Sequence, residues 1–402
     1  MNSFLTKSFA TALVTLILLL SGWVFAQQQP IPNAQPIPAP PQLAGKAWLL
    51  MDAKSGNVLV AENADERLSP ASLTKLMTAY IGTLEIDGGR IGEQDRVRVS
   101  EKAWRTGGSK MFIEVGKQVS VSDLLHGIII QSGNDASIAL AEHIAGSEET
   151  FADLMNQAAQ KLGMNNTHFK NATGLPPAEE EVKDNPPLVH YSSARDLALL
   201  ARAIIFENQT HYALYSKKEF TFGGIKQSNR NLLLWQDESV DGLKTGHTER
   251  AGYCLVASAI RDDTRLIAVL LGSRNEKVRA AEVQKLLTYG FRFFETRNLH
   301  PAGEALTEAR LWKGAANQVK AGVAEDLAIS LPKGSAFSEK IQLDDPLIAP
   351  IDKGQKIGTL HIESDGKLIK SADLVALEAA PQGSLLGRLW DGIVLFFRGL
   401  FS

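Results

Sequence analysis

Ser69 to Tyr80 reads SPASLTKLMTAY, placing a serine and a lysine three residues apart on apolar helix text, just after a proline. Pro70 suits the first position of a helix, because its φ is already helical and its missing N–H would be unsatisfied there. Ser69 is then the expected N-cap. On such a helix Ser72 and Lys75 stand at i and i+3 and share a face. Ser72 lies close to the helix N-terminus, where partial positive charge favours developing negative charge. A lysine becomes a base near neutral pH only when burial or a neighbouring cation lowers its pKa. Leu73, Leu76 and Met77 offer burial, and the cation has to come from elsewhere in the chain.

Alone, S-x-x-K is a weak signal, since Ser330/Lys333 and Ser364/Lys367 match it too. Those two pairs lie in turn-rich β text, where they would not share a helix face. S-x-N occurs at Ser55, Ser132 and Ser273, and Ser132-Gly133-Asn134 stands out because it interrupts the apolar run LLHGIIIQSGNDASIALAEHI. A polar triplet wedged there is costly unless partnered. It reads equally as a turn in which Asn134 or Asp135 caps the next helix. K-T-G occurs once, at Lys244-Thr245-Gly246, on strand text of period two. On an edge strand Gly246 would let a substrate backbone approach, and Lys244 would supply the missing cation.

The 402 residues allow two or three domains. Lys plus Arg is 42 against Asp plus Glu at 45, a net charge of -3, with no basic run, so a nucleic-acid partner is not expected. Residues 1–26 read as a signal peptide: Lys7, the apolar FATALVTLILLLSGWV, and an A-x-A-like exit at Ala26. The single cysteine, Cys254, permits no intrachain disulfide and sits in the apolar run GYCLVASAI, where it reads as a small buried hydrophobe. His126, His143, His168 and His190 lack ligand spacing, so neither a metal nor a cofactor is expected.

Residues 27–43 form a Pro- and Gln-rich linker. Across 44–295, a strand pair around KSGN, helices at SVSDLLHGIII, DASIALAEHIAG, TFADLMNQAAQKLG and SARDLALLARAIIFE, three more strands at 240–273, and a long helix from about Asn275 to Phe294 predict a mixed α/β (α+β) domain. Its antiparallel sheet would border a helical cluster. Residues 296–380 read as a small all-β domain. Residues 381–402 read as an amphipathic helix, with Arg388, Asp391, Arg398 and three glycines on one arc and Trp390, Phe396, Phe397 and leucines opposite; only Leu395 is misplaced. It is too short to span a bilayer and suits lying in a membrane interface, the alternative being a helix docked on its own protein or on a second copy.

A helix S-x-x-K, an S-x-N about sixty residues on and a strand K-T-G about one hundred and ten beyond is the order found in serine penicillin-recognising enzymes. With QSGNDASIALAEHIAG, LGMNNTHFKNATGL, YSSARDLALLARAI and KLLTYGFRFFET, the chain resembles the low-molecular-mass penicillin-binding proteins, serine-type D-alanyl-D-alanine carboxypeptidases. The resemblance extends to the β domain and terminal helix, which serine β-lactamases lack. It implies an acyl-enzyme mechanism in which Ser72 attacks the carbonyl between two D-alanines and Lys75 takes its proton. The backbone N–H groups of Ser72 and His247 would form the oxyanion hole, and Ser132 would relay a proton to the leaving D-alanine. Asn134, Lys244, Thr245 and Gly246 would hold the substrate, Arg279 would bind its terminal carboxylate, and Arg230 would support the site.

The resemblance further implies peptidoglycan stem peptides as substrate, β-lactam antibiotics as inhibitors, and a place on the periplasmic face of the inner membrane; a homodimer is compatible with it. Serine β-lactamase, D,D-endopeptidase and non-catalytic cell-wall shape protein are the alternatives. One departure is the acidic, Pro-rich stretch LPPAEEEVKDNPPLVH (175–190), which reads as a solvated bulge or a lid.

Overall fold

A computed structural model describes residues 37–180 and 187–400. The signal-peptide expectation, most of the linker and the middle of the acidic stretch lie outside the described residues. The chain enters β1 (Ala47–Asp52) and β2 (Val58–Glu62), then a 3₁₀ turn (Ala71–Leu73) that runs into α1 (Thr74–Asp87). Next come β3 (Arg96–Arg98), α2 (Glu101–Arg105), β4 (Gln118–Ser120), α3 (Val121–His126), α4 (Asn134–Ala145), α5 (Glu148–Lys161) and α6 (Ala194–Glu207). A hairpin of β5 (Glu219–Phe222) and β6 (Ile225–Ser228) precedes β7 (Val240–Thr248), β8 (Gly252–Arg261) and β9 (Thr264–Ser273), and α7 (Glu276–Phe293) follows.

The main sheet has order β2-β1-β9-β8-β7 and is antiparallel throughout. The middles of its central strands are apolar on both sides because both faces are covered. Along β9, Ile267, Val269 and Leu271 pack on the helical side, while Leu266, Ala268 and Leu270 face α7. That alternation is the period of two expected of a strand. Cys254 is fully buried on the helical side, and burial raises its thiol pKa to about 11, so it behaves as a small hydrophobe. The strand β7 is left at the sheet edge, as its K-T-G text required.

The turn carrying Ser72 differs from expectation. Ala71 takes φ 47, in the left-handed region, and no side chain caps the 3₁₀ turn or α1. This break in helical path just before Ser72 is why Ser69 does not act as the N-cap. Two glycines let neighbouring segments close on this turn. A Cβ on Gly174, itself at φ +78, would lie 1.8 Å from the Ala71 carbonyl oxygen. One on Gly246 would lie 2.9 Å from the Pro70 carbonyl oxygen and 3.2 Å from the Leu73 nitrogen. Gly246 was expected to admit a substrate backbone; the structure gives it the prior task of letting β7 dock against the Ser72 turn.

Beyond α7, strands β10 (Phe294–His300) to β17 (Lys367–Ala376) form a two-stranded ladder and a six-stranded sheet with cores of their own. Lys370 joins this unit to the first one, its Nζ donating to the Ser55 carbonyl at 2.9 Å. Ser330/Lys333 and Ser364/Lys367 lie on or beside these strands, off any helix. The terminal helix α8 (Leu385–Leu400) turns its polar side inward: Asp391 accepts from the Lys313 N–H at 2.5 Å, and Arg398 pairs with Asp345. Its outer side is bare, with Leu386 81% and Trp390 67% exposed. No helix among the described residues is long and apolar enough to cross a membrane.

Gly246→Ala should push β7 off the Ser72 turn, destabilising the domain by about 1–3 kcal/mol, measurable as a lower midpoint in chemical denaturation. An unchanged midpoint would show that the close approach is unimportant.

Candidate active site

At the end of the sheet next to β7, a cleft of about 410 Å³ is bounded by Ser72, Ser132, Asn134, Thr245, Gly246 and Arg279, among others. Three separate motifs therefore meet in one place. Lys75 and Lys244 lie beneath this lining, 1% and 3% exposed.

Lys75 points its Nζ at the Ser72 Oγ, 3.0 Å away, and donates to the Thr173 carbonyl at 2.5 Å. Burial, reinforced by the Arg230 guanidinium, lowers its pKa to about 7. The cation expected from Lys244 is thus supplied to Lys75 by Arg230. Lys244 is itself held well below the usual lysine range by burial and by the charges of Lys75, Arg230 and Arg279. Its Nζ donates to the Thr245 carbonyl at 3.0 Å. Four cationic groups converge where no carboxylate is paired with either lysine, an arrangement that draws in an anion and drives protons off the lysines.

Ser132 arrives by an unusual route. After α3 the chain runs through a π-helical turn (Gly127–Gln131), and Ser132 then takes φ 64 in the left-handed region. Single π turns are frequent at functional sites. The Ser132 Oγ is buried without a hydrogen-bond partner among the described residues, a cost of about 1–3 kcal/mol in an ordinary core. Asn134 begins α4 and points its amide into the cleft, where Nδ2 donates to the Gly107 carbonyl at 2.7 Å. The N-cap of α4 is Gly133, which has no side chain to cap with; the Asp135 carboxylate accepts the Ala136 N–H in the first turn and, outside the helix, the N–H groups of Met111, Phe112 and Ile113. Asn134 is thus turned to the cleft rather than to the helix end, while Asp135 ties the first turn of α4 to the segment 111–113.

Arg279 is buried at 3% exposure, not on a solvated helix face, and donates to the Arg230 carbonyl at 3.2 Å and to Glu276 at 3.1 Å. His247 lies on the cleft rim with its ring 4.0 Å from that of Tyr253, centroid to centroid. Arg230 is a cleft residue in its own right. Asn229 and Asn231, which flank it, anchor their amides to the carbonyls of Lys217 and Gly242; the resemblance implied only a supporting part for Arg230. Of the acidic stretch, Glu180 is buried, accepts the N–H groups of Val189 and His190, and pairs with Arg250 at 3.2 Å. His190, also buried, accepts the Lys170 N–H and contacts Thr74, and burial keeps it neutral, its pKa lowered to about 3.

A family model described as D-alanyl-D-alanine carboxypeptidase matches residues 34–275, and one described as the penicillin-binding protein 5 C-terminal domain matches 294–382. The chain is 44% identical over 372 residues to D-alanyl-D-alanine carboxypeptidase DacC of Escherichia coli K12, covering 90% of each chain. It is 44% identical over 371 residues to DacA of Haemophilus influenzae, covering 90% of this chain and 92% of that one. Among solved structures, penicillin-binding protein 5 of Haemophilus influenzae superposes with a TM-score of 0.80 at 43% identity, over 86% of this chain and all of that one. With its serine, lysine and K-T-G strand meeting in one cleft, the chain belongs to the S11 peptidase family of D-alanyl-D-alanine carboxypeptidases.

Proposed function

We propose that the protein is a serine D,D-carboxypeptidase that removes the terminal D-alanine from peptidoglycan pentapeptide stems through an acyl-enzyme, and that penicillins acylate the same serine. The observation that carries this reading is the Lys75 Nζ, 3.0 Å from the Ser72 Oγ with its pKa near 7. A neutral amine at that distance accepts the hydroxyl proton as the oxygen attacks the carbonyl carbon. The backbone N–H groups of Ser72 and His247 stabilise the oxyanion. Collapse of the tetrahedral intermediate breaks the C–N bond, and the proton held by Lys75 passes through the Ser132 hydroxyl to the departing D-alanine amine. The unpartnered Ser132 Oγ suits such a relay. Asn134 and Thr245 orient the substrate, Gly246 gives room at the strand, and Lys244 and Arg279 meet its terminal carboxylate. Water then attacks the ester and returns the enzyme.

The bare apolar side of α8 is read as the membrane-facing surface. Eight large side chains, Leu385 through Leu400, are at least half exposed there while the polar side is engaged on the β domain. Such a helix lies in the bilayer interface. With the signal-peptide text at the start, this supports a location at the periplasmic face of the inner membrane, within reach of the cell wall.

Fluorescent penicillin should label the protein covalently, and the protein should release D-alanine from a pentapeptide; Ser72→Ala should abolish both, and a labelled Ser72→Ala protein would reject Ser72 as nucleophile. Deleting residues 385–402 should move the protein from the membrane fraction to the soluble periplasmic fraction while leaving penicillin labelling intact. Retention at the membrane would contradict the role given to α8.

A further inference from the structure

The segment that follows α2 builds a second concave surface beside the cleft. This groove, about 620 Å³, is lined by Trp104, Lys110, Phe112, Lys117, Gln118 and Ile225, with the β5–β6 hairpin as its far wall. Gly108 and Ser109 line the cleft, and Lys110 and Phe112 line the groove. The two therefore adjoin along one stretch of chain.

The groove is rigidly held. Asp135 takes the Met111 and Phe112 N–H groups at 2.9 Å each, and Gln227 on β6 donates to the Met111 carbonyl at 3.1 Å, tying one wall to the other. Phe112 has φ 68, a costly conformation for a bulky residue. It nonetheless presents a ring 55% exposed, beside Trp104 at 42% and Ile225 at 44%. Grouped exposed aromatics in a preformed groove mark a binding surface.

We propose that this groove seats the N-acetylated sugar to which the stem peptide is joined, an inference that rests on the function proposed above. The C–H face of a hexose is apolar and covers an aromatic ring, while its hydroxyl and acetamido groups require polar partners. Trp104 and Phe112 offer the first, and Gln118, Glu114 and the two lysines the second. Four residues of protein chain separate Gly108 in the cleft from Phe112 in the groove, so the two linings lie at most about 14 Å apart there, a span that four extended stem residues also cover.

The test compares D-alanine release by the full-length protein from a disaccharide-pentapeptide and from the same pentapeptide without sugar. The sugar-bearing substrate should have the higher kcat/KM by roughly tenfold, through KM, the order expected for one or two covered aromatic faces. Trp104→Ala and, separately, Phe112→Ala should bring that ratio close to one, with penicillin labelling reporting an intact cleft in each. Equal use of both substrates by the unaltered protein, or a preference that survives both substitutions, overturns the proposal and leaves the carboxypeptidase reading standing. If neither substrate releases D-alanine, both readings fall together.

Discussion

A lysine amine taken almost wholly out of water, with a serine hydroxyl and a backbone carbonyl as its hydrogen-bond partners among the described residues, is the constraint around which this molecule is arranged. Moving the Lys75 pKa from 10.5 to about 7 corresponds to on the order of 5 kcal/mol against the charged form. That is comparable with the whole net stability of many domains. Such a group persists only where the surrounding structure is strong enough to hold it. Here it is held by a sheet buried on both faces, a helical core that includes Leu76 and Met77, and two glycine contacts that fix the turn before it.

The chemistry follows from that confinement. An amine left in water would be protonated and useless as a base, and a serine elsewhere on the surface would be an ordinary alcohol. Burial first, and then the Arg230 guanidinium, hold the Lys75 pKa near 7, and the arginines beside the cleft make it attractive to an anion. The left-handed Ser132, presented by a π turn, and the left-handed Ala71 are local irregularities placed where the Ser132 and Ser72 hydroxyls enter the cleft. Backbone strain of this kind is characteristic of functional sites.

Much of this was legible in the sequence. Strand text at 240–248, 252–260 and 265–273 matched β7, β8 and β9 almost residue for residue, because two apolar runs of that length and a period-two stretch beside them, set off by Gly and Asp, leave few alternatives. The Ser72/Lys75 pair was readable because helical spacing is local. What could not be read depends on contacts between distant segments. Arg230 acts on the charge of Lys75 from a loop that Asn229 and Asn231 pin, and Gly246 meets a turn that lies far earlier in the chain. The expected cap at Ser69 failed for the same reason: Gly174 and β7 press on the Ser72 turn and impose a backbone path that local propensity would not choose.

The account turns on the protonation state of Lys75, and the rate of penicillin acylation as a function of pH reads it most directly. A buried lysine with a pKa near 7 is protonated and inactive below that value and becomes the free base above it. The acylation rate should therefore rise about tenfold per pH unit in the acid range and level off above about 7. A rate that keeps climbing until pH 10 or beyond would mean an ordinary, solvated ammonium at Lys75, and would contradict the mechanism at its centre.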